Sequence, residues 1–141
     1  MLYDAHGEPE GATEAELLAA YAEELAAVVA EYGPDETAEA TGLDEATVEA
    51  VAAGDVADIR LAEAATLLAL LEDAPAEDLA FEVRDHLMME MVTAILDVDT
   101  IAANIDQDLT GQEVQQALEG RARLTLAELA SIHALVLERK R

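Results

Sequence analysis

Residues 37–54 read TAEATGLDEATVEAVAAG. Two short helices joined by a tight turn account for every residue in that stretch. Gly42 falls where such a turn needs a positive φ. Asp44 is placed to cap a helix running to about Ala53. Val48 and Val51 share the inner side of that helix, and Gly54 ends it. The pattern recurs, altered, at residues 101–120, IAANIDQDLTGQEVQQALEG. Thr37 and Ala38 match Ile101 and Ala102 at an offset of 64. Leu43, Val48 and Gly54 match Leu109, Val114 and Gly120 at 66, and Leu61-Ala62-Glu63 matches Leu126-Ala127-Glu128 at 65. The offset changes only where loops are expected, and insertions in loops cost little.

Working outward, Thr13 and Glu16 have capping-box spacing and open a helix. Its apolar stripe is Leu17, Leu18, Tyr21, Leu25, Val28, Val29 and Tyr32, and Gly33-Pro34 stops it. After the first copy, a helix over about residues 60–72 sets Leu61, Ala64, Ala65, Leu68 and Leu71 on one face. Asp73-Ala74-Pro75 then breaks the chain. A long helix over about 76–96 follows. Its middle, HLMMEMV at 86–92, is apolar almost all the way round. Such a helix is expected to be buried on more than one side. Leu87, Met88 and Met91 would then form a spine between the halves or the seam of a homodimer. Past the second copy, Thr125 and Glu128 cap a last helix, with Leu126, Leu129, Ile132, His133 and Val136 facing inward. The expected fold is all-α, with about eight helices forming two tandem four-helix units in one compact body. Residues 1–12 are a loose arm, 13–73 the first unit and 74–141 the second.

Composition narrows the possibilities. Hydrophobic residues make up 52% of the 141 positions, too many for a disordered chain, yet aromatics are 3%, so the core must be aliphatic. With no cysteine there are no disulfides or zinc-thiolate sites. The start, MLYDAHGEPEG, is not a secretory signal, and no apolar run reaches the roughly 18 residues of a membrane span. A soluble cytoplasmic protein is expected. Thirty-two acidic residues against 7 basic ones give a net charge of −25. Repulsion on that scale is tolerable in molar salt, where the Debye length falls to about 3 Å. The charge is also uneven: residues 1–96 carry −22 and residues 97–141 only −3.

The residues of the first copy carry a resemblance. Ala38, Gly42, Val48 and Gly54 stand where the helix-turn-helix of the phage-repressor class wants a small residue, a turn glycine, an inward aliphatic and a terminal glycine. The likeness covers residues 13–72, and more loosely 76–139. It implies that the second short helix of each unit could enter a major groove. Scattered Asp and Glu, scarce Lys and abundant Ala resemble haloarchaeal proteins. The run ILDVDTIAANIDQDL followed by EVQQALEGRA resembles an uncharacterised haloarchaeal family, which implies no assigned activity.

Fold likeness does not establish DNA binding, so the outward residues must decide. The helix of the first copy, EATVEAVAA, offers Glu45 and Glu49, which phosphate repels. That of the second copy, GQEVQQALEG, offers Gln112, Gln115 and Gln116, and Gln can bind adenine through two hydrogen bonds. Arg121 and Arg123 follow at once, where phosphate contacts belong. Arg139, Lys140 and Arg141 add positive charge. Double-stranded DNA is therefore the expected partner of the second unit, with a protein partner or homodimer as the alternative. Asp85, His86 and Glu90 converge poorly for a metal, and His6 stands alone in the arm. No nucleophile, phosphate-loop or dinucleotide motif is present. The sequence leads to a non-enzymatic protein with no metal, cofactor or small-molecule substrate.

Overall fold

The computed structural model describes residues 12–139. Among them are eight helices: α1 (Glu14–Tyr32), α2 (Pro34–Thr41), α3 (Glu45–Ala52), α4 (Leu61–Leu68), α5 (Ala76–Ala94), α6 (Val98–Asn104), α7 (Gly111–Leu118) and α8 (Leu126–Arg139). Local chemistry sets their ends. Thr13 accepts a hydrogen bond from the Glu16 amide at 3.1 Å, and Glu16 returns one from the Thr13 amide at 3.0 Å. Thr110 with Glu113 and Thr125 with Glu128 repeat that reciprocal cap. Asp44 caps α3 through the Thr47 amide at 2.9 Å. Gly42 adopts φ +77°, as the three-residue turn between α2 and α3 requires. The matching connection between α6 and α7 is twice as long and contains no positive φ.

Two expectations need correction. The helix expected over 60–72 ends at Leu68, because the Leu70 and Leu71 amides tighten onto the carbonyls of Leu67 and Leu68. Leu71 is left exposed and Leu67 takes the core position. Second, α5 packs on both α4 and α8, yet its apolar middle is not enclosed all round. Leu87 and Met91 are buried and Met88 half-buried, but Met89 and Val92 face solvent. That part belongs to α8, where Leu126, Leu129, Ala130, Ser131, Ile132, His133, Leu135, Val136 and Leu137 are all buried. α8 has no charged residue between Glu128 and Glu138, whereas α5 carries Glu82, Arg84, Asp85 and Glu90. Charge, more than apolar content, decides which helix can be enclosed. The expected arm of residues 1–12 lies outside the described residues except for Ala12, which is buried.

The two halves interlock. α1 packs on α8 and α5 packs on α4, so the first helix of each half lies against the last helix of the other. Between them, Arg60 and Thr125 form an isolated antiparallel bridge. The Leu61 amide donates to the Leu124 carbonyl at 2.7 Å and the Leu126 amide to the Ile59 carbonyl at 2.8 Å. Arg60 and Thr125 are repeat equivalents at an offset of 65, and at that offset each of the two bonds is the equivalent of the other. A residue paired antiparallel with its own equivalent marks a local two-fold axis, so the halves meet as subunits of an isologous dimer do. The long helices match at an offset of 62, with Leu17, Tyr21, Leu25 and Val29 of α1 answered by Leu79, Val83, Leu87 and Met91 of α5. All eight are buried in one continuous core.

Candidate functional site

α7 forms because Thr110 caps it and because Val114, Ala117 and Leu118 fill one face. The other face is open: Gln112 and Gln115 are exposed and Gln116 is half-buried. The Gln115 amide donates to Glu119 at 3.3 Å, along the same helix edge. Glu119 also accepts from Arg121, at 3.0 Å from Nε and 2.8 Å from Nη2. Arg121 and Arg123 are both exposed on the connection from α7 to α8.

Two further arginines come to the same place from far along the chain. Arg84 of α5 lays its guanidinium over Gly120, where φ is +79° and a Cβ would come within 2.9 Å of Nη2. Arg60 arrives from the start of α4. Arg60, Arg84, Arg121 and Arg123 line one cleft of about 330 Å³, floored by Leu61, Ala117 and Leu124. Among the described residues Arg121 is the one member of the four paired with a carboxylate. Guanidinium groups stay charged at any working pH and offer planar, paired donors to phosphate or carboxylate oxygens. A chain of net charge −25 thus places four of its 7 basic side chains around a single hollow.

The equivalent position in the first half has the opposite character. There the connection after α3 carries Asp55 and Asp58, and the hollow beside it is lined by Asp44, Asp55, Asp58 and Glu63 together with Arg60. On α3 the outward residues Glu45 and Glu49 are exposed.

Sequence reasoning places Gln112, Gln115, Gln116, Arg121 and Arg123 on one outward surface, and the structure gathers Arg121 and Arg123 at the C-terminal end of the glutamine face. It did not anticipate Arg60 or Arg84, whose positions depend on how α4 and α5 pack. Leu87 and Met91 lie inside the chain, so neither offers a surface to a second copy. Lys140 and Arg141 lie outside the described residues.

His133 is core-facing, and the Tyr21 hydroxyl lies 2.8 Å from its Nδ1. Burial holds the Tyr21 phenol well above its ordinary pKa, so the hydroxyl keeps its proton and shares a hydrogen bond with Nδ1. The two rings lie parallel, with centroids 6.4 Å apart. This bond ties α1 to α8 and needs nothing from outside. His86 sits 3.3 Å from Glu90, one turn along α5. Among the described residues no three His, Asp or Glu side chains converge to hold a metal ion, and no helix is long and apolar enough to cross a membrane.

No curated protein and no solved structure is significantly similar to the chain. A family model does match it, over residues 17–139, from α1 through the end of α8. That span holds both halves and all four cleft arginines, and the chain belongs to the family described as Family of unknown function (DUF5791).

Proposed function

We propose that the protein is a non-enzymatic, DNA-binding regulator that contacts duplex DNA through its second half. The observation carrying this reading is the convergence of Arg60, Arg84, Arg121 and Arg123 beside the open glutamine face of α7. α7 spans about 12 Å, so its glutamines and the arginine cleft fit one groove and its flanking phosphates. Gln112 and Gln115 would read base edges and the arginines would hold the backbone. The first half lends Arg60 to the cleft and, with Glu45, Glu49, Asp55 and Asp58 outward, makes no other DNA contact. Net charge opposes this less than it first suggests. Counterion release dominates protein–DNA affinity in dilute salt and largely vanishes in molar salt, where fit and hydrogen bonds decide.

The test is selection of duplexes from a random pool in about 2 M KCl, followed by fluorescence anisotropy on the enriched sequence. The wild-type protein is expected to enrich a sequence. Arg121→Ala with Arg123→Ala should weaken all duplexes roughly tenfold. Gln112→Ala with Gln115→Ala should instead flatten the preference among sequences. Absence of any enrichment, or indifference to all four substitutions, rejects the reading. A rival reading, a helical protein-interaction module without DNA, draws on a different observation: the exposed apolar side chains of α5.

A further inference from the structure

The outer face of α5 has no counterpart in its structural equivalent. Phe81, Met89, Val92 and Ile95 are 58%, 64%, 78% and 92% exposed. With Asp85 and the half-buried Met88 they recur at three- and four-residue spacing, so they form one stripe along the helix. At the offset of 62 that superposes the buried residues of α1 and α5, the same face of α1 carries Ala19, Glu23, Ala26, Ala27 and Ala30. The stripe's last residue, Ile95, answers to Gly33. Both end their helices with positive φ, +84° for Gly33 and +57° for Ile95. A β-branched residue is disfavoured in that conformation, and this one is nearly bare to solvent. The first half shows that this helix packs equally well with an alanine face and a glycine cap. Folding therefore asks for none of the four large side chains.

We infer that the α5 stripe is the contact through which a second copy of this chain docks, antiparallel, about a two-fold axis near Met88. Three observations favour a second copy over a foreign partner. The ends of the stripe are self-complementary: Phe81 and Ile95 stand seven residues to either side of Met88, so in an antiparallel pair Phe81 of each copy faces Ile95 of the other. The order also handles its one charge. A parallel pair would set Asp85 against Asp85, whereas an antiparallel pair separates the two carboxylates by about 9 Å along the axis. Finally, the four side chains expose roughly 500 Å² of apolar surface, a patch of the size that marks interaction sites. Doubled across the axis, this reaches about the 1,000 Å² that a specific interface needs. The inference is independent of DNA binding.

The decisive experiment is light scattering on the full chain, from micromolar to millimolar concentration, in molar KCl so that repulsion between acidic copies is screened. The wild-type protein is expected at twice its 15.0 kDa chain mass. The variant Phe81→Ala, Met89→Ala, Val92→Ala, Ile95→Gly gives α5 the outer face of α1, and it should run as a monomer that keeps its helical content and a cooperative unfolding transition. A wild-type monomer at every concentration overturns the inference, as does a variant that remains dimeric. If deletion of residues 1–11 converts a monomer into a dimer, that segment is the occupant and a second copy is not. Orientation has its own readout, because the chain lacks cysteine. A single Met88→Cys should form an intermolecular disulfide on mild oxidation, while Ile95→Cys should not. The reverse result contradicts the antiparallel pairing.

Discussion

The halves of this protein agree inside and disagree outside. Buried residues correspond position by position: Leu17 with Leu79, Leu25 with Leu87, Val48 with Val114, Leu61 with Leu126. The surfaces do not. Where the first half reads GDVADI at 54–59, the second reads GRARL at 120–124, so aspartates are exchanged for arginines on a loop of the same origin. Where α1 turns alanines outward, α5 turns Phe81, Met89 and Val92. A core tolerates little change because each side chain touches many others. A solvent face is free to change, so a difference there reports a demand other than folding. The first half acts as an internal control for the second.

That control can be broken or sharpened by substitution, beginning with the largest effect. Thr37 and Ile101 are equivalent and both fully buried, yet the Thr37 hydroxyl is satisfied within its own helix by the Gly33 carbonyl at 2.7 Å. Ile101→Ala should cost about 2–5 kcal/mol in denaturant unfolding, since it leaves a cavity. Thr37→Ala should cost less than half as much, and equal costs would show the two cores are not packed alike. Next come the turns. Gly42 at φ +77° has open space around it, so Gly42→Ala should lose about 1–2 kcal/mol from backbone strain alone. Its equivalent Asp106 has no positive φ, and Asp106→Ala should shift the midpoint by no more than about 0.5 kcal/mol. The helix caps reverse the sign. Ile95→Gly, which copies Gly33, should stabilise the monomer by about 1 kcal/mol. A loss there would mean that Ile95 is held by contacts within the chain.

The smallest effect is on pH. Bonds from the Thr47 side chain and amide hold the Asp44 carboxyl below its ordinary pKa, and the Thr100 amide and side chain do the same for Asp97. A lowered folded-state pKa contributes stability above the unfolded value, and that contribution fades as pH falls through the folded one. α3 and α6 should therefore fray below about pH 4. α7 keeps its cap, because Thr110 does not titrate. Asp44→Thr, which copies Thr110, should remove the acid sensitivity of α3 amide exchange. An unchanged profile would place the sensitivity elsewhere.

Much of this was legible in the chain because its signals are local. Thr13, Thr110 and Thr125, each with a glutamate three residues on, announce the helices that begin at the next residue, and Gly33-Pro34 closes one helix and opens the next. The repeat itself could be read by arithmetic. What escaped depends on distant partners. Leu71 continues an apolar period, yet the helix stops before it because the chain must turn toward α5. The enclosure of α8 depends on α1, α5 and α6 packing around it. Its run of nine uncharged residues, 129–137, was the available clue. Arg60 and Arg84 carry no local mark of their role, since only the cross-packing of the halves brings them to Arg121 and Arg123.

The bridge between Arg60 and Thr125 has a consequence for how the chain can be cut. Its bonds join the halves without using the Asp73–Pro75 connection, and α1 on α8 with α5 on α4 does the rest. Covalent continuity at the connection then supplies proximity rather than shape. Cleaved there, residues 1–73 and 74–141 should find each other again as complementary fragments. Joined through their present ends instead, they should tolerate circular permutation.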